Sequence, residues 1–337
     1  MSPTDNDDLI NEAEDTTEDA PEPAPLYEHT KRPEWGLAIL AWERNRRRAY
    51  QFQDGKLRLI KEGYYHLMQE VDRPADKALE LAESLKDKLG VSEARREVVK
   101  KAKAKGKKVL TLKDQIAIFH ALYPDGFHGE EWSTNIRGEG EGRRLKRHRD
   151  PAIIDAQEKL AEGPLKSLLE EGKHDEIAKV ALEVLKRTSL VRPVHLKPLK
   201  KLPEAQNEAF AEALYDLLWG SGPYAARFDA FVEAISPGRR GDCPWPLATA
   251  IPALVHTKEH VCVRPSSFRR QARWMAPRLE YSSTPEGKQY VRFRKMARAI
   301  RKRLKDAGLK PRDLIDVYDF VRLTLRPSAK KLLEQEE

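Results

Sequence analysis

The sequence predicts an α+β chain that is mainly α, with a small SH3-like or Tudor-like β-barrel followed by a larger all-helical domain. Two observations carry this. Short apolar runs of period two flank Asp54-Gly55, an arrangement that marks a hairpin. From Pro74 onward the apolar spacing lengthens to three or four residues, the period of a helix face. A chain of 337 residues has room for two or three domains.

Residues 1–30 hold ten Asp or Glu, no Lys or Arg, and Pro21, Pro23 and Pro25. So little apolar surface cannot offset the entropy of ordering, so this segment reads as a disordered acidic tail. The barrel is expected over 31–72. Trp35–Trp42 is a first strand, Arg44–Arg48 a charged turn, and Ala49–Gln53 a second strand. Asp54-Gly55 is a tight turn whose residues both tolerate positive φ, Lys56–Ile60 is a third strand, and Glu62-Gly63 closes it. Most of the rings among Trp35, Trp42, Tyr50, Phe52, Tyr64 and Tyr65 must fill so small a core. Rings beside the arginines can still face a partner, and Trp42, Arg46, Arg47 and Tyr50 are assigned to a protein partner.

Residues 73–110 are expected to be a helix and a basic linker. Ala78, Leu81, Ala82, Leu85 and Leu89 share a helix face that Gly90 can end. Residues 92–108 then carry eight Lys or Arg after Ala94 against one Glu. The helical domain, 111–330, should hold helices at 112–123, 151–171, 174–187, 204–219, 223–235, 246–255, 265–275, 286–307 and 311–325. The Gly-rich stretch Pro124–Arg149 reads as a long loop, and Arg326-Pro327 ends the last helix. In 286–307, Phe293, Met296, Ala297, Ile300 and Leu304 form one apolar stripe. The other directions are basic, with no carboxylate from Lys288 to Lys305.

Charge narrows the function classes. Beyond residue 30 the chain has 62 basic against 44 acidic residues, a body of +18 that attracts polyanions. Lys100, Lys101, Lys103, Lys105, Lys107 and Lys108, with Arg292, Lys295, Arg298, Lys302 and Lys305, are assigned to nucleic acid. They sit on uninterrupted basic faces with few amides to read bases; a solvated, solubilising surface is the plain alternative. Hydrophobic residues make up 40%, charged residues 34%, and mean hydropathy is −0.69. No apolar run approaches the roughly 18 residues a membrane span needs, and the acidic start is not a secretory signal. Two cysteines make no disulfide framework, so a cytoplasmic chain with no membrane contact is expected.

Chemical motifs are weak. Cys243, His256, His260 and Cys262 are the right donors for zinc, but the paired Cys-x-x-Cys is missing. Arg143 and His148 have the arginine-to-histidine spacing of HEPN-type ribonucleases, within a run so basic that the spacing arises trivially. Gly138, Gly140 and Gly142 alternate with Glu139 and Glu141, which repel phosphate. Asp313, Asp316 and Asp319 share a helix face; the first suits a helix start and the others suit pairing with nearby Arg or Lys. No catalytic set, metal or cofactor is assigned.

The run W-G-L-A-I-L-A-W, Y-Q-F-Q-D-G-K-L-R and K-E-G-Y-Y over 35–65 resembles the small barrels that begin CarD-type transcription regulators of bacteria. That resemblance implies a barrel that meets an RNA-polymerase subunit, followed by a helical domain on DNA. C-P-W-P-L-A-T at 243–249 and L-K-P-R-D-L-I-D-V at 309–317 resemble segments of bacterial proteins with the same two-part layout and no assigned activity. The expectation is a non-enzymatic adaptor. Its barrel meets a protein, RNA polymerase or another multisubunit complex, and its helical domain meets nucleic acid or a ribonucleoprotein. The alternatives are a nuclease or defence effector with its site in the helical domain, and a scaffold for acidic proteins.

Overall fold

Period-two alternation near the N-terminus builds an antiparallel sheet in the computed structural model, which describes residues 24–71, 75–105, 109–140, 142 and 144–334. The chain divides into two units, residues 1–93 and 94–337. Strands β1 (Leu26–His29), β2 (Ala38–Arg44), β3 (Arg47–Phe52), β4 (Leu57–Lys61) and β5 (Met68–Glu70) lie in the order β4-β3-β2-β1-β5, with a 3-10 turn at Glu62–Leu67 before β5. This is the strand order of an SH3-like barrel. One face packs Ala38, Tyr50, Phe52, Ile60 and Met68 together. Tyr27 meets Tyr50 edge-on at 5.2 Å and Trp35 meets Phe52 at 5.3 Å. The other face sets Leu26 and Ile39 against Ala82 and Leu85 of helix α1 (Ala75–Lys103).

Several expectations change here. The sheet has five strands rather than three, and β1 falls inside the span read as a disordered tail. Leu26 is buried under α1, and this small apolar anchor is what orders the strand. Residues 1–23 of that tail lie outside the described residues. The two-residue turn with positive φ at both positions is Asn45-Arg46 (φ 49° and 57°). At the other hairpin only Gly55 is left-handed (φ 82°), and the Asp54 carboxylate accepts from Lys56 N at 3.0 Å to hold the loop. Gly90 does not end α1, which runs on through the segment read as a linker. A glycine inside a helix costs only about 1 kcal/mol, and Ser92 Oγ donating to Gln51 Oε1 at 3.0 Å fastens the helix beyond it.

The second unit is helical. After the last turns of α1 come α2 (Leu112–Leu122), α3 (Glu130–Trp132), α4 (Asp150–Lys159), α5 (Glu162–Glu170), α6 (His174–Arg187) and α7 (Lys197–Lys200). Then follow α8 (Asn207–Trp219), α9 (Tyr224–Ile235), α10 (Trp245–Val255), α11 (Pro265–Met275), α12 (Gly287–Asp306), α13 (Leu314–Thr324) and α14 (Pro327–Glu334). Thr111 and Asp114 cap α2 reciprocally. Every residue of α10 is buried, as an all-round apolar helix must be. It packs against α4, α6, α8, α9 and α13.

The expected helix 151–171 is two, because Pro164 has no N–H for the Leu160 carbonyl; Trp219 Nε1 donates to that oxygen instead at 3.2 Å. Pro327 ends α13 as read, yet it also starts α14. The largest departure is Pro124–Arg149. This supposed loop folds into short turns whose Phe127, Trp132, Ile136, Arg137 and Arg149 are all buried.

Candidate nucleic-acid interface

The buried arginines explain the aspartate face of α13. Asp313, Asp316 and Asp319 recur every three residues and point inward, at 8% exposure or less. Asp313 caps the helix, accepting from Ile315 N and Asp316 N at 3.0 Å each. Arg137 Nε donates to Asp316 Oδ1 at 2.8 Å and its Nη2 to Asp313 Oδ1 at 2.6 Å, while Trp132 Nε1 reaches Asp316 at 3.0 Å. Arg149 forks onto Asp319 at 2.7 and 3.0 Å, and Arg322 Nε adds a third bond at 2.8 Å. The partners are therefore mostly distant in sequence, not the neighbours that spacing suggested.

Burial lowers the Arg137 pKa, but Asp316, Asp313 and Asp150 outweigh it and hold that pKa above the ordinary value. Burial would likewise raise Asp319, yet Arg149 and Arg322 hold it below the usual carboxylate range. Asp316 goes the other way: burial, with Asp313 beside it, pushes it up to about 6 against the pull of Arg137.

This buried frame fixes the helices that carry the basic surface. On α12, Tyr290, Phe293, Met296, Ala297, Ile300 and Leu304 face the core. Some of its cations are tied down. Arg294 lies 4.5 Å over the Tyr224 ring and donates to Glu259 O at 3.1 Å, and Arg301 donates to Arg312 O at 2.5 Å. Lys288, Arg292, Lys295, Arg298, Lys302 and Lys305 are exposed, and among the described residues no carboxylate pairs with them. At 100° per residue they span an arc of roughly 140° opposite the apolar stripe, over about 26 Å of helix.

Lys100, Lys101, Lys103 and Lys105 are exposed at the end of α1 and just beyond it, whereas Lys107 and Lys108 lie outside the described residues. Both basic segments are moored to the end of α11: Arg95 of α1 donates to Trp274 O at 2.8 Å, and Arg303 of α12 reaches Met275 Sδ at 3.6 Å. The sequence reading passed over Arg264, Arg269, Arg270 and Arg273, all exposed on α11 or at its start. The run R-P-S-S-F-R-R-Q-A-R was the available signal. From Lys258 to Lys331 there are 21 Lys or Arg and only seven Asp or Glu, three of which are the buried aspartates of α13.

The barrel residues separate. Tyr50 is 1% exposed and fills the core, so it is not available to a partner. Trp42, half-buried, pairs with Ala49, which pairs with the 47%-exposed Leu59. Arg44, Arg47 and Lys61, all exposed, form the next cross-strand row. Arg46 is exposed in the turn, 3.6 Å from Glu62.

The catalytic and metal candidates do not assemble. His148 is buried outside any helix, accepts from Leu145 N at 3.3 Å and leaves no room for a Cβ on Gly138. Arg143 lies outside the described residues. Burial pushes the Cys262 thiol up to about 12, opposite to what a metal thiolate needs. His256 faces Leu218 O and His260 faces the Tyr290 hydroxyl. Among the described residues no three His, Cys, Asp or Glu side chains are grouped to hold one ion. No helix among them is long and apolar enough to cross a membrane.

These features define a two-part class, an SH3-like sheet module with its helix and a basic helical unit on a buried Arg–Asp frame. No family model, curated protein or solved structure matches the chain.

Proposed function

We propose that the protein is a non-enzymatic adaptor that holds nucleic acid by its phosphate backbone on the α12 face and the end of α1, and a protein partner on its barrel. The observation that carries this reading is the exposed face of α12, six cations with no carboxylate partner among the described residues. A long row of exposed Lys and Arg is suited to neutralising successive backbone phosphates, which bind without carrying sequence information. Residues 94–337 hold 49 Lys or Arg against 33 Asp or Glu, a formal +16, so the attraction lies with the helical unit.

The barrel contact uses Trp42 and Leu59 as the apolar centre, with Arg46 and Arg47 at its rim, and suits an acidic protein surface. RNA polymerase or another multisubunit complex is the partner class that the CarD-type resemblance offers.

Titration of the full chain with a fluorescein-labelled duplex at 50 and 200 mM salt tests the nucleic-acid half. About six phosphate contacts predict a loss of roughly a thousandfold in affinity between the two. No binding at 50 mM would remove this function. Binding of acidic polypeptide but not duplex would make the protein a scaffold for acidic proteins instead.

A further inference from the structure

The C-terminal end of α13 does not balance its charge. Arg149 is 2% exposed and Asp319 fully buried, yet Arg322 also bonds to that one carboxylate, so two guanidiniums share a single negative charge. Arg326 follows α13 and Arg264 precedes α11, and α11 packs against α13. Arg270 of α11 donates to Leu325 O at 2.8 Å, which seats α11 against the stretch of chain between Arg322 and Arg326; burial first, then Arg322 and Arg264, depress the Arg326 pKa. Arg192 approaches from the 3-10 turn Pro193–Leu196. After burial, Arg192 and Arg264 are what hold His195 below the ordinary histidine range.

Arg192, Arg264 and Arg326 are exposed, and among the described residues no carboxylate pairs with any of them. The opposite end of the helix differs. There Arg137 and Arg312 meet Asp150, Asp313, Asp316 and Glu139, so carboxylates are in excess.

We propose that Arg264, Arg322 and Arg326 form an oxyanion site that takes a phosphate group of a nucleic-acid backbone, with Arg149 and Asp319 as its buried floor. Every cation of the cluster is an arginine, whereas the α12 face mixes lysine and arginine. Planar guanidiniums present paired N–H donors that match two oxygens of a phosphate, which a lysine ammonium cannot do. Two guanidiniums on the one buried Asp319 carboxylate leave that floor with unbalanced positive charge until an anion arrives. The source of the phosphate rests on the function proposed above; the chemistry of the site does not.

The test uses the full chain, its Arg264→Gln/Arg326→Gln variant and a charge-matched Lys113→Gln/Lys186→Gln control at exposed positions outside the α12 face and the end of α1. Arg149 and Arg322 stay intact because they hold Asp319. Inorganic phosphate at 10 mM, matched in ionic strength with chloride, should raise the wild-type melting temperature by about 3–6 °C for a millimolar site. The control should keep that rise and the Arg264/Arg326 variant should lose it. The same variant should weaken duplex binding about tenfold at low salt. No phosphate effect on the wild type, or an equal one in the Arg264/Arg326 variant, overturns the site. If phosphate protects as described but the wild type binds no duplex, the oxyanion site stands for free phosphate and the nucleic-acid function falls.

Discussion

Asp319→Asn should be among the most damaging single substitutions in the helical unit. Asp319 is the carboxylate that Arg149 forks onto at 2.7 and 3.0 Å; the other bond of that guanidinium is to Ser189 Oγ at 3.2 Å. Both Arg149 and Asp319 are almost wholly withdrawn from water. Asparagine keeps one oxygen, removes the charge and turns an NH2 toward two guanidiniums. Breaking a buried pair in this way costs about 3–5 kcal/mol. At about 2–4 °C per kcal/mol for a unit of this size, the melting temperature should fall by about 6–20 °C. The exposed pair Arg187–Asp155, at 2.7 Å with the arginine side chain 60% exposed, should cost no more than about 1 kcal/mol when cut. Thermal denaturation at pH 7, followed by circular dichroism, measures both. The double change Arg149→Met/Asp319→Leu removes both charges together and should recover most of the loss. An Asp319→Asn melting point within 2 °C of wild type would refute the buried Arg–Asp frame.

Gly287→Ala should disturb the start of α12, because a Cβ there would run into the Ala225 carbonyl oxygen. Such overpacking against backbone costs about 1–3 kcal/mol, and chemical denaturation showing no loss would contradict the close approach. Asp316 has a folded pKa of about 6, above its unfolded value of 3.8, so the folded state binds the extra proton between those values. Its stabilising contribution is therefore full below about pH 4 and fades as pH rises through 6. The cost of Asp316→Asn should accordingly shrink from pH 4 to pH 7, and a constant cost would count against that shift. Removing residues 1–23, which hold nine Asp or Glu and no Lys or Arg, should raise duplex affinity most at low salt. Equal affinities would mean the acidic segment does not compete for the basic face. The cut stops before β1, whose Leu26 belongs to the sheet core.

What the sequence revealed follows from how far apart the interacting residues lie. Helices α6, α9, α11 and α12 were legible because each buries its own stripe, and α10 because it is apolar all round; their ends came within a residue or two. The exposed cations of α12 followed from the same stripe. Pro124–Arg149 was illegible because its buried residues are scattered over a 3-10 turn, a single helical turn, a π turn and irregular backbone, which together show no steady period. Its arginines also looked solvated, since the aspartates that neutralise them lie on α13. Tyr50 was misplaced for a related reason: both faces of β3 are covered, so alternation did not separate inside from outside. β1 is four residues long and follows an acidic stretch, so composition hid it. The Arg264–Arg322–Arg326 cluster joins two helices and had no local signature.

The central claim is that the exposed α12 face neutralises nucleic-acid phosphates. The most direct test is the slope of log K against log salt for a labelled duplex, compared between wild type and Lys295→Gln/Lys302→Gln/Lys305→Gln. These three side chains point to solvent, so the fold should be unaffected. The steep negative wild-type slope should become shallower by about 2–3 in the variant, near 0.9 for each lost phosphate contact. A slope unchanged by the triple substitution would contradict the claim.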